Sequence, residues 1–179
     1  MLQLRQLRHP HEMTVEEYLQ SNIPGHTELL GGIVYDVSPR NEPHRYAVRK
    51  LTEALVLGLQ RRYIVQVQDA VAVPGWEGKD APEIAVAVLT DKFYRPAPTS
   101  AEAFAFVEVS DTTYDCDREY KIPLYVGAGV PSWIVNIAER RVEFYGLPAD
   151  LKLAHGHISS ETFDILGIAI EVATLLGPI

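Results

Sequence analysis

Two short, almost wholly apolar runs, EIAVAVL and AFAFVEVS, constrain this chain more than any other feature. Runs of that length and composition belong to buried central strands, so the chain must build a sheet around them. The second run carries a carboxylate, Glu108, among Phe106, Val107 and Val109. An ionised carboxylate in such company is costly unless it is paired, hydrogen-bonded or bound to a metal. Shortly downstream, Asp115 and Asp117 stand where residues cap a helix, Lys121 rides on its first turns, and Gly127 and Gly129 end it. Pro123 falls inside that helix and predicts a kink.

Taken as antiparallel neighbours, the two runs bring Glu83, which opens the first, beside Glu108 near the end of the second. Alternation puts Glu108 on the face of Phe106 and Ser110. Two carboxylates on rigid strands suit Mg²⁺ (or Mn²⁺), a hard cation that keeps several waters. Glu28, in the apolar segment TELL, is a third acid in an unusual place, and Asp80 lies in a nearby loop. Lys121 beside such a cluster would orient a water or offset charge on a phosphate. Acids, a divalent ion and a lysine are recurrent equipment for phosphodiester hydrolysis. Each piece has a plainer reading. Glu108 pairs with Lys121 or Arg118, Glu28 with a histidine or Arg45, Glu83 marks a loop–strand junction, and Lys121 belongs to a solvated helix face. His44, at a helix start, is a surface or capping residue or a weak phosphate contact. A two-carboxylate glycosidase fits poorly, because it gives Lys121 no role.

The net charge of −8 argues against nonspecific polyanion binding. Basic residues do gather between Arg40 and Arg62, where six of them face Glu42 and Glu53, a pattern that a solvated helix face also explains. No apolar run is long enough to span a bilayer, and the N-terminus lacks the apolar core of a secretory signal. Cys116 is the single cysteine, which excludes an intramolecular disulfide and a four-cysteine zinc site and favours a cytoplasmic setting. Of the 179 residues, 1–12 read as a flexible arm and 13–179 as one domain.

The rest of the chain reads as follows. Thr14 and Glu17 form a capping-box pattern for a helix ending near Asn22. HTELL and IVYDVS flank Gly31-Gly32, a hairpin signal. A helix over Pro43–Arg61 carries Ala47, Val48, Leu51, Leu55 and Leu59 at helical spacing. YIVQVQ continues through DAVAV as β structure, WEGKDAP with Trp76 is a loop, and the segment after Thr90 is a long connection that would border a site. SWIVNI and RVEFYGL make a second hairpin around AERR. The tail, from DLKLAHG with His155 and His157 through ETFDILGIAIEV, supplies short edge strands and a scrap of helix.

The succession MTVEEYLQ, HTELLGGIVYDVSP and PHRYAVRKL resembles the opening of the Uma-two family of restriction-endonuclease-like proteins. APEIAVAV, AFVEVSDTTYDCDREYKIPLYVGAGVPSWIVNI and RVEFYGLP resemble that family's central block, and the likeness runs over roughly residues 13–175. The resemblance implies membership of the PD-(D/E)xK nuclease superfamily. It implies an α/β (α+β) fold, a mixed sheet flanked by helices with further hairpins toward the C-terminus, and a divalent metal at the acids. On it, Glu28 matches the acid of the family's ELxxG segment, Glu83 stands for the aspartate of PD, and Glu108 is the acid of the second half-motif. Ser110 occupies that half-motif's lysine position, and Lys121 matches a lysine supplied from the following helix instead. The implied activity is a Mg²⁺-dependent endonuclease on DNA, with Glu83 and Glu108 on the metal; cutting a duplex would call for a homodimer. Against this stands a nuclease-fold module that no longer cuts and serves binding or assembly. Glu83 departs from aspartate by one methylene.

Overall fold

The structure, a computed structural model, describes residues 5–6, 12–37, 40–73, 78–146 and 157–178. It opens with β1 (Arg5–Gln6), α1 (Val15–Gln20), β2 (Thr27–Leu30) and β3 (Ile33–Asp36). Thr14 and Glu17 close the capping box: the Thr14 hydroxyl accepts from Glu17 N at 3.2 Å, and the Glu17 carboxylate accepts from Thr14 N at 2.8 Å. Gly31 and Gly32, at φ of 57° and 79°, turn β2 into β3 in the left-handed conformation that a two-residue hairpin needs. Within the segment read as an arm, Arg5 and Gln6 pair antiparallel with β3.

α2 (Glu42–Leu59) starts at Asn41, whose side chain accepts from His44 N at 3.0 Å. Its buried face is the expected one, Ala47, Val48, Leu51, Leu55 and Leu59. It ends short of the predicted Arg61, because Gln60 turns left-handed at φ 52°. There follow β4 (Tyr63–Ala70), β5 (Glu83–Thr90) and β6 (Ala103–Ser110), the last two being the apolar runs. A helical segment made of α3 (Tyr114–Cys116), a π turn (Asp117–Lys121) and α4 (Ile122–Gly127) crosses over to β7 (Ser132–Asn136). β8 (Arg141–Tyr145), β9 (His157–Ser159), the hairpin β10 (Thr162–Ile165) and β11 (Ile168–Glu171), and α5 (Val172–Leu176) complete the described chain.

Six strands form one mixed sheet in the order β4-β5-β6-β7-β8-β9, parallel between β6 and β7 and antiparallel elsewhere. The central strands are largely apolar because both faces are covered. On one face Val86, Val107 and Val135 pack with α2, α5 and the β10–β11 hairpin. On the other, Phe106 and Ile134 pack with Ile122 and Tyr125 of the crossover helix. The hairpin lies close on α2: a Cβ at Gly58 would come within 2.7 Å of Ile168. Among the described residues no helix is long and apolar enough to cross a membrane.

Some sequence expectations shift. The DAVAV segment leaves the sheet after Ala70, and Ala72 and Val73 instead bridge to Thr99 and Asp80. The connection after Thr90 sits at the opposite end of β5 from Glu83, so it does not border the acids. Pro123 produces no separate break. The preceding turn widens to a π turn, in which Ile122 N–H reaches back five residues to Asp117 O, and the helix runs on. Trp76, the DLKLAHG segment and His155 lie outside the described residues.

Candidate active site

The β5–β6 ladder ends at the Val86–Val107 pair. Beyond it the start of β5 and the end of β6 frame one end of the sheet, as the antiparallel reading required. A further element closes that end. Leu29 and Ala81 exchange backbone hydrogen bonds of 3.2 and 2.9 Å, which docks the β2–β3 hairpin there and lets Glu83 N donate to Glu28 Oε2 at 3.3 Å. Asp80 fastens the same junction. Its Oδ1 accepts from Gly31 N and from the Tyr120 hydroxyl, both at 2.8 Å, so it is a structural tie rather than a helper at the acids. Asp80→Ala is expected to cost about 0.5–1.5 kcal/mol for each of the two hydrogen bonds lost, readable as a lowered thermal midpoint.

Lys121 is the hub. The ammonium stands 2.8 Å from Glu28 Oε2, 3.5 Å from Asp117 Oδ1, 3.7 Å from Glu108 Oε1 and 3.3 Å from the carbonyl oxygen of Glu83. Its side chain is 8% exposed, so it is no solvated helix residue. Burial alone would lower its pKa, but Glu108, Glu28 and Asp117 hold it well above the usual lysine range, and it stays charged. Glu28 therefore pairs with Lys121, not with a histidine or Arg45. Glu108 accepts a 2.6 Å hydrogen bond from the Tyr125 hydroxyl on Oε1, while Oε2 receives none among the described residues. Burial pushes its carboxyl up to about 8; Asp117 and Glu28 push the same way, and Lys121 and Tyr125 oppose.

Asp117 is the residue that the sequence reading misplaced. The N-cap position belongs to Thr113, and Asp117 is a buried acceptor inside the helix. It takes hydrogen bonds from Ser110 Oγ at 2.7 Å and Thr113 Oγ1 at 2.6 Å. Asp117, Lys121 and Tyr125 follow at intervals of four, a spacing that stacks side chains on one helix face. That spacing was visible in the sequence and is the signal that would have found both Asp117 and Tyr125.

Glu83 meets a different cation. Arg40, from the segment before α2, donates to Glu83 Oε1, and His26 Nδ1 lies 3.6 Å from Oε2. Glu28, Glu83, Glu108, Lys121, Arg40, Asp117 and His44 all line one cleft of about 80 Å³. His44 lies at the helix start as expected, yet its Nδ1 is buried without a partner among the described residues. Burial and the neighbouring Arg40 lower its pKa, keeping the ring neutral. Cys116 also lines the cleft, with its thiol pushed by burial up to about 11, which disfavours a nucleophilic thiolate. The other basic residues of α2 are spent on its surface: Arg45 and Arg49 pair with Glu42, and Lys50 with Glu53.

For a metal, the cleft offers hard oxygen donors. Five carboxyl groups (Glu28, Glu83, Glu108, Asp111, Asp117) line it with two cations (Arg40, Lys121), so acids outnumber basic groups by three. Among the described residues no group of three His, Cys, Asp or Glu side chains is arranged to hold an ion. Hard oxygen donors of this kind are the ligands that a cation such as Mg²⁺ takes, with water completing its shell.

Among solved structures, the chain is similar to a crystal structure of "a putative nuclease belonging to DUF820 from Anabaena variabilis ATCC 29413". The TM-score is 0.67 at 12% identity, over 92% of this chain and 97% of that one, a likeness that speaks to the fold. No curated protein matches. The Uma2 family model, described as "Putative restriction endonuclease", matches residues 15–172. With that match over most of its length, this chain belongs to the Uma2 family.

Proposed function

We propose that the protein is a Mg²⁺-dependent endonuclease that hydrolyses phosphodiester bonds in DNA. One observation carries the reading: acids from three separate strands and a buried ammonium converge in one cleft whose carboxyl groups outnumber its cations. Glu83 and Glu108 would hold the ion, whose chemistry is to stabilise charge on the phosphoryl oxygens and acidify a water. The chain's own groups do the rest. Lys121, fixed by Glu28 and Asp117, positions the attacking water and offsets developing charge. Arg40, once off Glu83, is the guanidinium nearest the cleft for a phosphate oxygen, and neutral His44 lines the same wall. All these groups come from one chain, so the cleft itself needs no second copy; a dimer would serve only to cut both strands of a duplex. A cytoplasmic setting suits a chain whose one cysteine is not in a disulfide.

One feature favours the rival reading, a nuclease-fold module that binds without cutting: Arg40 already occupies Glu83. Incubation with plasmid and single-stranded DNA under Mg²⁺ or Mn²⁺ separates the two. Nicking or linearisation is expected, abolished by chelator and reduced at least about tenfold in Glu83→Ala, with Glu83→Asp retaining activity. If neither DNA is cut under either metal, the rival stands.

A further inference from the structure

A second, larger cavity of about 340 Å³ opens beside the cleft and shares two of its residues, Glu83 and Gln68. Gln68 is the odd residue of β4. It has φ 54°, a left-handed conformation that a non-glycine strand residue rarely adopts, and such positions gather at functional sites. The β4–β5 ladder pairs Val67 with Val86 and Asp69 with Ile84 and skips Gln68. The neighbouring strand records the disturbance. Ala87 and Leu89 join the core under the crossover helix, but Ala85 and Val86 both join the α2 core, and Ile84 crosses to the other. The irregularity therefore sits next to Glu83. The Gln68 amide has no hydrogen-bond partner among the described residues, although it stands in the wall between the two cavities.

The lining says what the cavity would take. Tyr18 and Ile23 give it apolar sides, and Thr27, His26, Gln68 and Asp69 give it polar ones. No lysine or arginine lines it, so it is not built for a phosphate, whereas the adjoining cleft has Arg40 and Lys121. Its volume lies in the range of small-ligand sites. A neutral, flat group with hydrogen-bonding edges, attached to a phosphate in the next cavity, is a nucleotide's base. Asp69 accepts only, which favours a base carrying an exocyclic amino group.

We propose that this cavity is a base subsite for the nucleotide flanking the scissile phosphate, with Gln68 and Asp69 reading its edge. Only the word scissile rests on the nuclease reading; occupancy by a nucleotide is tested separately. The experiment titrates the protein with deoxyadenosine 5′-monophosphate, thymidine 5′-monophosphate and inorganic phosphate, following backbone amide NMR shifts. Deoxyadenosine monophosphate should move the amides of residues 23, 25–27 and 67–70, and inorganic phosphate should not. Gln68→Gly, which suits the left-handed backbone and so preserves the fold, should weaken the nucleotide at least about tenfold without lowering thermal stability. Asp69→Asn should erase the preference for deoxyadenosine over thymidine monophosphate. Shifts confined to the cleft, equal shifts with inorganic phosphate, no binding at all, or unchanged affinity in Gln68→Gly each overturn the subsite. A chain that binds the nucleotide this way yet cuts no DNA keeps the subsite and loses the nuclease; the converse result does the reverse.

Discussion

Lys121→Ala is expected to abolish DNA cleavage and to destabilise the fold by about 3–5 kcal/mol, the scale measured when one partner of a buried ion pair is removed. The size follows from what is left behind. Glu28, Glu108 and Asp117 are each nearly inaccessible, and the ammonium is the cation that all three share. Because loss of stability alone would lower activity, a second variant is needed. Lys121→Met combined with Glu28→Gln removes one charge of each sign and should recover a large part of the lost stability while remaining inactive. Chemical denaturation of the single and double variants, with cleavage assayed well below the transition, makes the comparison. A Lys121→Ala protein that cuts DNA at the wild-type rate would remove lysine from the mechanism.

Glu108 gives the second large effect, and its sign is opposite to that of an ordinary surface-paired acid. Its carboxyl is held at about 8 in the folded protein against 4.5 when exposed. The folded state therefore binds the proton more tightly, and the group's contribution is fully present below pH 4.5. It is lost as pH rises toward 8, at up to about 1.4 kcal/mol per pH unit within that window. Metal-free wild type should lose thermal stability between pH 5 and 8, while Glu108→Gln, which cannot ionise, should show a much flatter profile. Mg²⁺ favours the ionised carboxylate. Added metal should therefore raise the midpoint of wild type at pH 8, do little at pH 5, and leave Glu108→Ala unmoved at both. Parallel pH profiles for wild type and Glu108→Gln would mean that this carboxylate is not the group under strain.

These expectations depend on both local and distant relations, and the sequence exposed the two unequally. The adjacency of β5 and β6 was legible because two apolar runs of similar length tolerate few other arrangements, and it placed Glu83 with Glu108. The capping box at Thr14 and the Gly31-Gly32 turn were legible because each is decided within four residues. Asp117 was misassigned because an aspartate near a helix start has a strong capping preference. Its actual partners, Ser110 and Thr113, come into range only when the strand end and helix are in place. The π turn was hidden for a similar reason: Pro123 announces a conflict with α-helical hydrogen bonding without saying how the backbone resolves it. Arg40 could not be matched to Glu83 from spacing, since the contact joins segments that meet only through the folded sheet. The left-handed backbone at Gln68 interrupts strand alternation, the very rule by which strands are read.

The crossover from β6 to β7 has a consequence for how the protein forms. Glu108, Asp117, Lys121 and Tyr125 all belong to one continuous strand–helix stretch, so the ammonium gains acidic neighbours by short loop closure. Glu28 arrives from the far end of the chain, on a hairpin that docks through Leu29 and Ala81. If the short closure forms first, that half of the constellation would stay wet until the hairpin docks, and docking would then both complete the ion cluster and drive out its solvent.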